Sequence, residues 1–299
     1  MKFLRALLCV LPLVLTAGVA HGATTINPTN RLAYGANLGW VDWRGDTTNG
    51  AVIGAYVCSG SLWSANAGWI SLGGGAPANG VRYQNNSAAD FGVNHDGVGT
   101  LAGYAWAANL GWLAFTNRDA SGAPYDGPRV DLLTGRLSGL VWSANAGWLS
   151  LSNQFAHVQT DTLDCGPDTD HDGLPDAWEI QVATNLTTLT GGGDNDGDGV
   201  GNLAEFSADT NPLDAASRLR VTSATKTNSL ADTVLSWTTS PARLYRVRVA
   251  TNVAAALPWP DAGLGLFLPD PGATTTRAFP AAADPINFFI IEARKPLSP

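Results

Sequence analysis

Apolar positions in the first half of the chain alternate with small or polar ones in short runs. Four of these runs share one pattern: Tyr34-Gly-Ala-Asn37-Leu-Gly39-Trp40, Trp63-Ser-Ala-Asn66-Ala-Gly68-Trp69, Trp106-Ala-Ala-Asn109-Leu-Gly111-Trp112 and Trp142-Ser-Ala-Asn145-Ala-Gly147-Trp148. A period of two predicts strands, and the central Asn and Gly predict a turn joining two of them, because both residues tolerate positive φ. The closing tryptophans lie 29, 43 and 36 residues apart, too irregular for a tight solenoid but compatible with a repeat whose loops vary. Residues 91–94 and 129–132 predict further strands, turning at His95-Asp-Gly97 and Leu133-Thr-Gly135. The unit is therefore strand, turn, strand, Asn-Gly turn, strand. Residues 24–163 are expected to form an all-β repeat domain, propeller-like or sandwich-like. A tryptophan recurring at one register is expected to fill the same core position in each unit. Asn37, Asn66, Asn109 and Asn145 are expected to take the left-handed turn conformation and to bond neighbouring backbone.

After residue 163 the alternation stops. Residues 164–216 are rich in Asp and Gly, with short helices predicted only at 177–183 and 203–208. Strand character returns at 218–222, 233–238, 244–250 and 287–293, broken by Pro and Gly, so residues 217–299 are expected to form a compact β-sandwich-like module. The chain is mainly β in class. At its start, Lys2 and Arg5 flank an apolar run over residues 7–17 that is too short to span a bilayer, and Ala20 and Gly22 fit a cleavage site. Residues 1–23 read as an export signal. The mature chain is expected to be secreted or held at the cell surface, with no membrane span.

Without that signal the chain carries 15 basic and 25 acidic residues, a net charge near −10. Such a surface argues against nucleic acid or anionic lipid as partner. Cys58 and Cys165 remain, and in an oxidising compartment they form either one disulfide or two separate thiols. Catalytic residues are scarce. His95 lies in a predicted turn, His157 on a predicted strand and His171 inside an acidic loop, none beside a nucleophile elbow or a zinc spacing. Glu179, Glu205 and Glu292 are the only three glutamates, and two belong to the loops described next, so a glycosidase carboxylate pair would have to use Asp or Glu292. A non-enzymatic protein is expected.

The candidate chemistry is in two loops. Asp168-Thr-Asp170-His-Asp172-Gly173-Leu174-Pro175-Asp176-Ala-Trp178-Glu179 puts carboxylates at positions 1, 3, 5, 9 and 12 and glycine at position 6. This spacing wraps oxygens around one calcium ion: the carboxylates of Asp168, Asp170, Asp172 and Asp176, the Leu174 carbonyl, and both oxygens of Glu179. In the second loop the same roles fall to Asp194, Asp196, Asp198, the Val200 carbonyl, Asn202 and Glu205. Ca2+ is the expected ligand. Crowded carboxylates repel one another, so calcium is expected to fold the segment as well as occupy it. Gly166-Pro167 and Thr190-Gly-Gly-Gly193 precede the loops, so neither has a leading helix. Pro175 and Gly201 at position 8 disfavour the strand pairing of paired EF-hands.

Together with Phe206 and Asp209-Thr-Asn-Pro212, these loops resemble the thrombospondin type 3-like calcium repeats of secreted modular bacterial proteins; dockerins share half of the pattern. In such proteins a Trp-bearing β-repeat can precede the calcium segment and a short β-module can end the chain. The resemblance implies calcium binding outside the cell. Three roles are expected in turn: a structural or adhesive protein of the cell surface or extracellular matrix, a carbohydrate-binding protein that stacks polysaccharide on its tryptophan face, and a dockerin-like module that recruits a cell-surface protein through residues 164–216.

Overall fold

The computed structural model describes residues 24–119, 121–227, 232–255, 257–280 and 287–298. The export-signal reading, on residues 1–23, lies outside them. Each copy of the repeated pattern forms an antiparallel hairpin. The first joins β1 (Ile26–Gly35) to β2 (Gly39–Asp42); after the two-residue β3 (Val52–Ile53), the second joins β4 (Cys58–Ser64) to β5 (Gly68–Gly74). After β6 (Val93–His95) comes the third, β7 (Leu101–Ala107) with β8 (Gly111–Phe115). After β9 (Arg129–Val130) and β10 (Leu137–Ser138) comes the fourth, β11 (Leu140–Ser143) with β12 (Gly147–Ser150). Each hairpin pairs with the next, and β12 returns to β1 in the register Tyr34–Ser150 and Gly35–Leu149. The eight hairpin strands thereby close into a barrel. The fold is mainly β, but this closure replaces the expected propeller or sandwich. Propeller blades would be separate sheets, whereas here one ladder runs through all four hairpins.

The turns are locked to one another. The Asn66 amide donates to the Leu38 carbonyl (3.2 Å), Asn109 to Ala67 (3.1 Å), Asn145 to Leu110 (2.8 Å), and Asn37 to Ala146 (3.1 Å). Every hairpin grips the turn of its predecessor, and the first grips the fourth. The left-handed conformation expected of these asparagines belongs instead to the glycines two residues on, Gly39, Gly68, Gly111 and Gly147, with φ of 69°, 78°, 76° and 76°. Glycine takes that conformation without steric cost, which frees asparagine to reach sideways.

The interior is filled in layers of alternating size. At the turn end the large side chains, Leu38 and Leu110, come from the first and third hairpins, and the small ones, Ala67 and Ala146, from the second and fourth. One layer deeper the order reverses: Ala33–Val41 and Ala105–Leu113 are smaller than Leu62–Ile70 and Val141–Leu149. Deeper again, Trp43 and Phe115 meet edge to face at 6.5 Å, with Leu72 and Leu151 in the remaining positions. Large residues in one layer thus sit over small ones in the next, which is how a narrow barrel reaches native packing density.

The tryptophans of the repeat are not in this core. Tyr34, Trp40, Trp63, Trp69, Trp106, Trp112, Trp142 and Trp148 are all outside the barrel, between 39% and 48% exposed. The expected core role is corrected by strand parity: Val41, Ile70, Leu113 and Leu149 point inward, so the residue before each must point out. Each hairpin instead sets two aromatic rings directly opposite on its outer face, 4.7 to 5.0 Å apart between centroids. Such a cross-strand pair stabilises its hairpin by about 0.5–1.5 kcal/mol.

Beyond β13 (Val158–Thr160), which pairs with β1, Leu174, Trp178, Leu189 and Phe206 form a small core around α1 (Asp176–Ala183) and α2 (Asn202–Ala208). The chain then forms β14 (Val221–Lys226), β15 (Asp232–Thr238), β16 (Leu244–Ala250), β17 (Thr274–Pro280) and β18 (Phe288–Arg294). Strands β14-β15-β17 make one sheet and β16-β18 another, and Leu235, Trp237, Tyr245, Val247 and Phe279 are buried as their common core. Strand β17 escapes the sequence pattern because its buried positions are Thr275 and Phe279, with a polar Arg277 between them. Cys58 and Cys165 are free thiols; Cys58 lies in the barrel core, where burial pushes its thiol up to about 12.

Gly60, Gly103 and Gly139 hold equivalent places in three hairpins, with φ of 80°, 121° and 91°. A Cβ there would lie 2.2, 2.2 and 2.0 Å from the carbonyl oxygens of Gly50, Gly92 and Gly127, where the preceding connection crosses the barrel wall. Gly139→Ala is therefore expected to destabilise the protein by at least about 2 kcal/mol in thermal unfolding. Gly74→Ala, with nothing within 4 Å of the new Cβ, should melt like the parent.

Candidate functional site

The two acidic loops fold back on themselves through their own carboxylates. In the first, Asp168 accepts the backbone N–H groups of Asp172 (3.2 Å) and Gly173 (3.0 Å), and Asp172 accepts that of Leu174 (2.8 Å). In the second, Asp194 accepts from Gly197 (2.9 Å) and Gly199 (3.0 Å), Asp196 from Asp198 (3.1 Å), and Asp198 from Val200 (2.8 Å). Gly173 and Gly199 at position 6 have φ of 94° and 90°, the sharp turn that the spacing requires. Ligand-type oxygens of Asp168, Asp170 and Asp172 lie within 4.8 Å of one another, as do those of Asp194, Asp196 and Asp198.

The position-12 glutamates stand outside these groups of three, on the following helices, within electrostatic reach of the aspartates. Glu179 lies in the first turn of α1 and Glu205 in α2, and both are 0% exposed. Neither Glu179 oxygen has a hydrogen-bond partner. Glu205 accepts from Thr210 (3.2 Å) with one oxygen and leaves the other unpartnered, as are one oxygen each of Asp196 and Asp198. Arg218 is 3.7 Å from that Asp198 oxygen, beyond hydrogen-bond distance. Buried carboxylate oxygens without donors are costly, and a hard cation is the group that satisfies several at once. Three carboxylates at each loop form an all-oxygen set that could hold a metal ion.

Position 9 makes hydrogen bonds within its own loop. Both oxygens of Asp176 are taken by Thr169, from its N–H (2.8 Å) and hydroxyl (2.6 Å). The Asn202 amide donates to Thr190 (2.7 Å) and Asn195 (2.8 Å). In each loop position 9 thus closes onto position 2. Leu174 and Val200 hold position 7, Leu174 with its side chain buried in the small core. Among the described residues no strand pairing joins the loops. They are coupled through Gly191 instead, whose N–H donates to Asp172 (2.7 Å) and whose carbonyl accepts from Leu203 (3.3 Å). Gly191 packs closely there: a Cβ would lie 2.1 Å from the Asp172 carbonyl oxygen.

The histidines are engaged elsewhere. His95 is the buried last residue of β6 rather than a turn residue; its Nδ1 faces the Gly54 carbonyl (2.9 Å) and its Nε2 accepts the Gly99 N–H (3.1 Å), while burial lowers its pKa. His157 precedes β13 and His171 is exposed with φ of 65°. Comparison of the chain with protein-family models, curated proteins and solved structures finds no match.

Burial first, and then the surrounding aspartates, push Glu179 up from the usual 4.5 to about 7; burial likewise raises Glu205 to about 7, with Asp196, Asp198 and Asp194 adding to it. Between those values the two glutamates of the metal-free folded protein bind more protons than in the unfolded chain, so their contribution to stability is full below pH 4.5 and is lost as pH rises through 7. Chelated protein is expected to melt higher at pH 5 than at pH 8. Glu179→Gln combined with Glu205→Gln should flatten that difference.

Proposed function

We propose that the chain is a secreted, non-enzymatic calcium-binding protein with a structural or adhesive role at the cell surface or in the extracellular matrix. The observation that carries this reading is the pair of fully buried glutamates with unpartnered oxygens, each beside a cluster of three aspartates. Carboxylates crowded in one loop repel one another in the absence of a counter-ion, and a divalent cation among them would turn the repulsion into cross-linking. The lack of a leading helix or of pairing between loops favours calcium as a setter of shape over calcium as a transmitted signal.

The position of α2 supports the same role. Arg243, from the C-terminal β-module, donates to the Phe206 and Ser207 carbonyls at the end of α2 and pairs with Asp209 at 3.4 Å. A metal-folded second loop would therefore give that module a fixed anchor. No helix among the described residues is long and apolar enough to cross a membrane.

Calorimetric titration is expected to show two calcium ions per chain, with affinities on the order of 10⁻⁴ to 10⁻³ M. Glu179→Gln and Glu205→Gln should each remove one. At about a hundred times Kd each site adds about 2.7 kcal/mol of stability, so chelation should lower the melting temperature and open residues 164–216 to protease. Melting and digestion patterns indifferent to chelation would overturn the reading.

A further inference from the structure

The outer wall of the barrel carries a second site, independent of the calcium loops. Cross-strand register defines rows of outward side chains that run around the wall. At the junction of the third and fourth hairpins the row is Tyr104, Ala114, Trp142, Trp148. The equivalent rows read Leu32, Asp42, Trp63, Trp69; Ser61, Ser71, Trp106, Trp112; and Leu140, Ser150, Tyr34, Trp40. Every junction thus has a small or short residue beside an aromatic pair. Only the third-to-fourth junction has an aromatic on both sides of it.

The consequence is a groove of about 800 Å3 between Tyr104 and the Trp142–Trp148 pair, with Arg118, Asp119 and Ser121 also lining it. Tyr104 and Trp142 are two strand spacings apart, about 9–10 Å at the backbone. That separation admits one flat ring of ligand between two aromatic faces, over the floor that Ala114 leaves open. We propose that this groove binds a linear, uncharged polysaccharide.

The chemistry of the lining selects that ligand. A pyranose ring presents polarised C–H groups on its faces and hydroxyls at its rim; the C–H faces match the negative face of indole and phenol rings, and the hydroxyls match a guanidinium, a carboxylate and a hydroxyl placed together. One cation beside one anion gives no preference for a charged ligand. The alternatives fit less well. Strand addition by a peptide needs an open edge, which a closed barrel lacks. A bilayer needs a continuous apolar band, whereas Asp42, Ser71 and Ser150 share the outward face with the aromatics. A flat protein surface meets only one or two hairpins of a convex wall, while a chain ligand can follow it past the groove.

The test is affinity electrophoresis of the full chain in native gels containing hydroxyethylcellulose, xylan, galactomannan or glycol chitin, with tryptophan fluorescence as a second readout. At least one polysaccharide should retard the protein. Trp142→Ala should weaken that binding about tenfold or more, as the loss of a central aromatic contact does, and Trp40→Ala on the far wall should leave it within about threefold. Trp142→Ala also breaks an aromatic pair, so Ala114→Phe, which fills the groove and removes nothing, provides the second variant and should abolish binding in a protein with parental melting. Failure of all four gels to retard folded protein, or retardation unchanged by Ala114→Phe, overturns the proposal.

Discussion

One asparagine amide ties each turn of the barrel to the turn before it, and the series of ties has no end. A hairpin whose two strands have four to ten residues each is marginal in water, and none of the four here has a core of its own. Each acquires one only when the other three are in place, because the interior layers draw on all of them. The asparagine bonds are worth about 1 kcal/mol apiece, a modest sum. Their larger effect is on register: a slip of one residue in any ladder would turn leucines outward, and would also carry that hairpin's asparagine away from the carbonyl it serves.

The fourfold pattern carries a twofold one inside it. Leu38 and Leu110 mark the first and third turns, Ala67 and Ala146 the second and fourth, and the size order inverts in the next layer. Four identical hairpins would set four leucines, or four alanines, in one layer, overfilling or underfilling it. Alternation solves the packing, and the outer wall is left free to vary. The inward residues are constrained by volume, while the outward ones at each junction range over Asp42, Ser71, Ala114 and Ser150. That freedom is what allows one junction to become a groove lined on both sides by aromatic rings.

Much of this was legible in the sequence. The repeat, the hairpins, the two loops and both helices follow from periodicity and spacing. The direction of the tryptophans did not, because both faces of the strands carry apolar residues and composition favours placing Trp inside. The decisive signal was parity in the first copy: Trp40 shares a face with Asp42, and Val41 shares one with Trp43, so the charged residue identifies the solvent side. Ser71 and Ser150 repeat the message. Closure into a barrel was beyond reach, since pairing between β1 and β12 joins segments more than a hundred residues apart with no local signature. Spacing likewise tells which side chains can reach a metal, and not that position 9 also bonds position 2 of its own loop, Thr169 in the first and Asn195 in the second.

The loops and the barrel are stabilised by opposite means. The barrel spends almost no charge and relies on volume; the segment from 164 to 216 has a core of a few side chains and relies on charge. Glu179 and Glu205 are buried next in the chain to Trp178 and Phe206 of a short apolar cluster, completed by Leu174 and Leu189, too small to offset the desolvation of two carboxylates. Protonation at low pH relieves that strain one glutamate at a time and leaves the aspartates unlinked. In the proposed reading a cation would relieve it while binding the aspartates as well, which protonation does not do. With Arg243 gripping the far end of α2, rigidity gained at the second loop passes directly to the C-terminal sheets, and in the proposed reading this makes the acidic segment a brace.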